Sequence, residues 1–336
     1  MKKVIAILLA LTLLVSLCVS LTGCSKDSEE TSSKADLALV VAGQFGDRSF
    51  YDSSKEGVDR LKADLGMDIV YIECHNTDHT TQMKNAADKA EIVVCVGWEF
   101  YDIETVAPEY PDNQFIWIDN ATSAPIPNVL NITYAQNEGS FLAGYAAASL
   151  SKTGVVGAVG GEDCDTINDF IVGYKQGAEY YADTVGAPIE VVFNYTNTYD
   201  DPVAGKNCAL ALNSEGADVI FQIASAAGDG VFEAAQEKGF YAIGVDSDQK
   251  YINPDVIVCS MKKEVGNSIY DAVKAFRNGD TSKLGTTWVA DMATGYVGLG
   301  YGEDGSVQQL PDQIKSEIED LKTKIMNKEI VVDTTR

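Results

Sequence analysis

The chain has 336 residues, 46% hydrophobic and 22% charged, with 50 acidic against 25 basic side chains and a formal net charge of −25. An acidic excess of this size argues against nucleic acid or an anionic lipid surface as a binding partner, because phosphate is repelled. The length exceeds what a single hydrophobic core usually serves and leaves room for two lobes.

Taken in chain order, the first feature is a leader. Lys2 and Lys3 precede an apolar run from Val4 to about Val19, broken only by Thr12 and Ser16, and Leu21-Thr22-Gly23-Cys24 follows. A charged start, a short apolar run and small residues before a cut make up a secretory signal peptide. The run is at the short end for a membrane span. Leu-Thr-Gly followed by cysteine resembles the lipobox of bacterial lipoproteins, which implies cleavage after residue 23 and a diacylglyceryl group on Cys24. Such an anchor supplies at least two acyl chains, enough for stable attachment. Losing Lys2 and Lys3 with the leader takes the net charge to near −27. Residues 25–35 hold no large apolar side chain and read as a flexible tether.

Beyond the tether, apolar runs alternate with helical patterns. Strands are expected at about 37–42, 69–72, 92–96, 115–118, 155–159, 189–193, 218–223, 241–245 and 255–259. Ser53 followed by Glu56 fits a capping box, and Val58, Leu61 and Leu65 share one helix stripe. Further helices are expected at about 80–90, 138–151, 167–182, 203–214, 229–239, 265–278 and 311–327. Residues 279–310, rich in Gly and Thr, give no clear period. Continuous apolar strands alternating with amphipathic helices mean parallel sheets covered on both faces, and so many strands call for two doubly wound lobes.

In such sheets ligands bind beyond the carboxyl ends of the strands. Several of those ends carry carboxylates, amides and aromatics: Gly43 to Asp52 after the first strand, Asp119 after the fourth, then Tyr195, Tyr199, Asp200 and Asp201, then Ser225 to Gly230, then Asp246 to Gln249. Aromatics there can stack on a planar ring, and carboxylates can accept hydrogen bonds from hydroxyl or amino groups. Each residue also has a plainer role open to it. Asp47 can cap a helix, Phe50 and Tyr199 can pack between lobes, and Asp246 can close a turn.

Enzyme signatures are absent from the sequence: no Gly-x-Ser-x-Gly, His-Glu-x-x-His or phosphate-loop motif. His75 and His79 are the two histidines. Asn76-Thr77-Asp78 between them reads as a loop, so a solvated turn is expected there rather than a metal site. Cys74, Cys95, Cys164, Cys208 and Cys259 are an odd number at wide spacing, so a full disulfide framework is not expected. Cys95 and Cys259 sit in apolar strands and are expected as buried free thiols.

Four segments resemble the basic membrane protein family, best known for PnrA-like purine nucleoside receptors of ABC transporters. They are Gly46-Asp47-Arg48-Ser49-Phe50, Asn137 to Tyr145, Gly228 to Ala235 and Gly244-Val245-Asp246-Ser247-Asp248-Gln249. The likeness covers about residues 37–330. It implies a type I periplasmic-binding-protein fold: two Rossmann-like lobes, a three-strand hinge and ligand between them. The lobes are expected as 37–133 plus 247–285 and 134–246 plus 286–336, after a leader at 1–23 and a lipidated tether at 24–36. The implied function is that of an extracytoplasmic receptor, not an enzyme, with no cofactor and no metal. It would be a monomer that hands a nucleoside-like ligand to permease and ATPase subunits and meets the membrane only through its lipid.

By the same resemblance Phe50 and Tyr199 sandwich the base, Asp246 and Lys263 hold the ribose, and Asp119 adds a polar contact. Asp47 and Ala226 complete the candidate ligand set. A ribose diol suits a carboxylate acceptor beside an ammonium donor. The chain departs from the pattern on the base side. Ala42 stands where relatives carry an acid, Tyr51 where they carry Asn, and Ser225-Ala226-Ala227-Gly228 where Gly-Gly-Thr-Gly is usual. Another planar molecule such as a flavin, a sugar, or a sensing role at the cell surface are the alternatives these departures leave open.

Overall fold

The computed structural model describes residues 34–335. The predicted leader, Cys24 and most of the tether lie outside the described residues. The first strand begins at Ala35, inside the predicted tether, because Ala35 pairs with Ala90 of the neighbouring strand.

The first lobe is built from β1 (Ala35–Val41), α1 (Phe50–Leu65), β2 (Ile69–Glu73), α2 (His79–Lys89), β3 (Ala90–Val96), α3 (Ile103–Val106), β4 (Gln114–Ile118) and β5 (Val129–Tyr134). The chain then crosses to α4 (Gln136–Leu150), β6 (Val155–Gly160), α5 (Asp165–Val185), β7 (Glu190–Tyr195), α6 (Pro202–Ser214), β8 (Val219–Ile223), α7 (Asp229–Lys238), β9 (Tyr241–Asp246) and β10 (Ile257–Lys263). It returns with α8 (Val265–Arg277) and β11 (Thr286–Ala290), then crosses again to β12 (Val297–Gly300) and α9 (Asp312–Met326).

The described strands form two six-stranded sheets, ordered β11-β5-β4-β3-β1-β2 and β12-β10-β9-β8-β6-β7. All pairings are parallel except β10 with β12. The inner strands are apolar throughout because helices cover both faces; Leu37 to Val41 and Val93 to Val96 are fully buried. In each sheet the chain starts at an inner strand, adds one neighbour, then jumps to the other side. That puts switch points between β1 and β3 and between β6 and β8, where clefts form in open α/β sheets.

Sheet membership differs from the predicted lobe division at two strands. β10, assigned to the first lobe from sequence, pairs with β9 in the second sheet. β11, assigned to the second lobe, pairs with β5 in the first. The return crossings therefore fall between β10 and α8 and between β11 and β12. An apolar run reveals a buried strand but not the sheet that it joins.

The predicted capping box is also replaced. Helix α1 starts at Phe50, ahead of Ser53, with Ser49 at the N-cap position and the Asp47 side chain, two residues earlier, doing the capping. The Asp47 carboxylate accepts from the backbone N–H of Ser49 (3.1 Å), Tyr51 (3.0 Å) and Asp52 (3.0 Å). Ser53 instead accepts the Gly266 N–H at 3.3 Å, tying α1 to α8.

Candidate functional site

The two sheets present their carboxyl ends to one cavity. Its wall includes Phe50 and Tyr51 at the start of α1, Gly97 to Glu99 after β3, Asp119 after β4, Cys164, Thr166, Ile167 and Phe170 around the start of α5, Tyr199 before α6, Ile223 and Ser225 after β8, Asp246 at the end of β9 and Lys263 at the end of β10. The space between these residues amounts to about 630 Å³ when the open solvent at its mouth is included. Both switch points open onto it, which is why residues far apart in sequence converge there.

Backbone conformation aims several of these side chains. Asp119 (φ 75°), Ser225 (φ 51°) and Asp246 (φ 62°) each adopt the left-handed region at a strand end. Non-glycine residues are held there only when their surroundings enforce it, and such positions cluster at ligand sites.

One side of the cavity is a buried charge cluster. Lys263, 1% exposed, places Nζ 2.6 Å from both carboxylate oxygens of Asp119. The same ammonium lies 4.9, 5.2 and 5.3 Å from the ring centroids of Tyr134, Phe50 and Phe170. Asp246, 7% exposed, accepts a hydrogen bond from the Ser49 hydroxyl. Burial pushes the Asp246 carboxyl up to about 6, against the pull of Lys263 and Ser49. The apolar side is aromatic. The Phe50 ring stands 5.5 Å from that of Tyr51, and the Tyr199 ring lies directly on Gly161, where any side chain would collide with it.

The lobes are closed on one another. Arg48 of the first pairs with Asp229 of the second. Ser225 donates to Asp47 at 2.8 Å, Asn76 to Asp200 at 2.8 Å, and Gln249 to the Arg48 carbonyl at 3.0 Å.

Of the seven candidate ligand residues, five line the cavity: Phe50, Asp119, Tyr199, Asp246 and Lys263. The other two do not. Asp47 is consumed as acceptor for the N–H groups at the start of α1 and for Ser225, and it is buried, 4% exposed. Ala226 lies in the tight turn Ser225–Gly228, which supports Tyr199 through the bond from Ala227 N–H to the Tyr199 carbonyl, 2.9 Å. Sequence reasoning missed Trp98, Glu99, Thr166, Ile167 and Phe170. The rule used on the other strand ends, applied to β3 and β6, would have found them.

Glu99 has a particular environment. Burial raises its carboxyl to about 7. Burial raises both the Glu99 and the Asp246 carboxyl in the closed cleft, and opening the cleft is expected to hydrate them and lower both, so closure is expected to depend on pH. A group raised in one state favours that state fully below its ordinary value and stops doing so as pH climbs through the raised value. The empty protein is therefore expected to close on acidification from about pH 8 to about pH 5 and to open in the reverse direction. Small-angle scattering of the ligand-free protein checks this. A smaller radius of gyration at the lower pH is expected, with no change in the double variant Asp246→Asn, Glu99→Gln; a pH-independent radius in the parent protein would contradict it.

His75 stands in a left-handed turn, and His79 begins α2 with its ring edge-on to Phe100 at 5.5 Å. Cys74, Cys95 and Cys259 are buried free thiols, and Cys164 and Cys208 are free and partly exposed.

Two doubly wound lobes closed over an aromatic and charged cavity define a solute-binding protein of the type I periplasmic-binding fold. Comparison with known proteins agrees. Residues 34–336 match the family described as "ABC transporter substrate-binding protein PnrA-like". Basic membrane protein A of Borreliella afzelii is 31% identical over 315 residues, 92% of this chain and 94% of the relative. The crystal structure of an ABC transporter solute-binding protein from Aeropyrum pernix K1 superposes with a TM-score of 0.81 at 26% identity, over 90% of this chain and 94% of that one. A Conexibacter woesei solute-binding protein shares the fold, with a TM-score of 0.71 at 24% identity over 89% and 99%. The chain belongs to the PnrA-like family of ABC transporter substrate-binding proteins. No helix among the described residues is long and apolar enough to cross a membrane.

Proposed function

We propose that the protein is the lipid-anchored, extracytoplasmic receptor of an ABC importer and closes on a purine nucleoside. Cys24 carries the lipid, and the closed form delivers its ligand to permease subunits. The protein binds and does not transform what it binds.

The observation that carries the nucleoside reading is the pairing, in one cavity, of an aromatic wall with a desolvated Asp–Lys–Asp cluster. Phe50 and Tyr199 offer π-faces to a flat base. Asp246 offers a carboxylate acceptor to a vicinal diol, and the ammonium of Lys263 stands beside it as a donor. A ligand needing both halves has a planar ring joined to a polyhydroxylated group.

Calorimetric titration with nucleosides tests this. Saturable binding of a purine nucleoside is expected, weakened roughly 100-fold in Asp246→Ala by loss of a charged hydrogen-bond acceptor. The free base is expected to bind far more weakly than its nucleoside. Binding of a flavin or a free sugar in place of any nucleoside would replace the ligand while leaving the receptor role intact.

A further inference from the structure

Glu99 supplies an acceptor with no donor. It sits in the short turn Trp98–Phe100 just past β3 and lines the cavity. Its Oε2 is shielded from water and has no hydrogen-bond partner among the described residues. The carboxylate folds back over Gly97, into space that a side chain at 97 would fill. Burying an acceptor without a donor is costly, and native structures rarely keep one without a use.

The groups that face Glu99 cannot serve it with a cation. They are Tyr51 on α1, Cys74 after β2, Asp119 after β4, Glu162 after β6 and Tyr199 before α6. Lys263 is committed to Asp119, and Arg48 to Asp229. An N–H carried in by a ligand would supply the donor that Oε2 lacks. The position beside Gly97 on the adjoining strand strengthens this. Val41 of β1 pairs with Val96 of β3, so residue 42 neighbours residue 97. Ala42 contributes only a methyl group, 3.2 Å from where a Cβ on Gly97 would lie. Glu99 is an acceptor on this side of the cavity whose Oε2 has no partner among the described residues.

Resting on the nucleoside-receptor reading above, we propose that Glu99 selects the base: its carboxylate accepts N–H bonds from a ring edge with two adjacent donors, as in guanine, and a proton leaves Glu99 for solvent as the ligand binds. The backbone N–H of Glu99 already favours the anion, and two ligand donors favour it further. Since burial raises the Glu99 carboxyl to about 7, losing that proton near neutral pH costs little. Adenine presents one amino donor beside a ring acceptor. It satisfies the carboxylate at one oxygen only.

Titration calorimetry of guanosine and adenosine, in two buffers of different ionisation enthalpy, tests the proposal with the parent protein and Glu99→Gln. At about pH 7 the parent protein is expected to release roughly half a proton through Glu99 on binding guanosine, beyond any release from Asp246. Glu99→Gln is expected to lose that release and to weaken guanosine roughly 10- to 100-fold. Adenosine is expected to change less than about threefold, since it uses one acceptor. Guanosine affinity and proton release unaffected by Glu99→Gln would overturn the role of Glu99 while leaving the nucleoside receptor standing. Proton uptake with preference for adenosine would overturn it too, by showing that the neutral acid is the reader. If the parent protein binds no nucleoside, the receptor reading fails and this proposal with it. The proton count in the parent protein stands independently of how the variant folds.

Discussion

Lys263→Met is expected to abolish ligand binding at concentrations that saturate the parent protein and to destabilise the second lobe. Among the described residues, Lys263 is the one cation in contact with the Asp119 carboxylate, at 2.6 Å to each oxygen, and it also offsets the burial of Asp246. Removing one partner of a buried ion pair typically costs about 3–5 kcal/mol, because the remaining charge is left in a poor solvent. Here two carboxylates are left, and they repel each other as well. An energy of that size is roughly 10²–10⁴ in affinity. Proton uptake by Asp246, whose carboxyl burial already raises to about 6, would relieve part of the loss, so the variant should recover some stability at lower pH. Adding Asp119→Asn removes one orphaned charge and should restore stability without restoring binding. Calorimetry and urea unfolding check both halves. A Lys263→Met protein that binds within about threefold of the parent would show that the cluster is structural only.

Gly144→Val is expected to have the largest effect on folding. Helices α4 and α5 cross so closely that a Cβ on Gly144 would overlap the Tyr174 carbonyl oxygen and come within 3.0 Å of Ala178 N. Gly177 repeats the arrangement from the other side, where a Cβ would overlap the Phe141 carbonyl. Backbone atoms cannot yield as side chains do, so the helices must part. Overpacking alone costs about 1–3 kcal/mol, and a branched side chain here is expected to exceed that range. Because α5 begins with Thr166, Ile167 and Phe170 on the cavity wall, any molecules that do fold should also bind ligand less well. Thermal unfolding measures the first effect. A melting temperature within about 2 °C of the parent would contradict the close crossing.

The inner parts of the fold were legible in sequence because burial on both faces leaves a continuous apolar run. β1, β3, β4, β6, β8 and β9 were all found that way. The strands that escaped are those whose surroundings are mixed. β5 carries Asn131 and Thr133 between apolar residues, with Asn131 donating to Thr122 at 3.1 Å. β11 lies at a sheet edge with Thr286, Thr287 and Val289 exposed, and β12 is a four-residue antiparallel edge. Neither leaves a period to read.

The candidate site divides on the same physics. Phe50, Asp119, Tyr199, Asp246 and Lys263, named from the strand ends and the family resemblance, are among the residues lining the cavity. Asp47 has the residue type both of a ligand contact and of a helix cap, and only its hydrogen bonds decide between the two. Glu99 looked unremarkable in sequence. Its weight comes from lost solvent and a missing donor, which no spacing reveals.

The most direct measurement of the central claim is mass spectrometry of whatever is released when the purified protein is denatured. An intact purine nucleoside, with guanine as its base, is the predicted result. Release of a flavin, a sugar or another metabolite, with no purine nucleoside detected and none bound on addition, would contradict the assignment of this cavity.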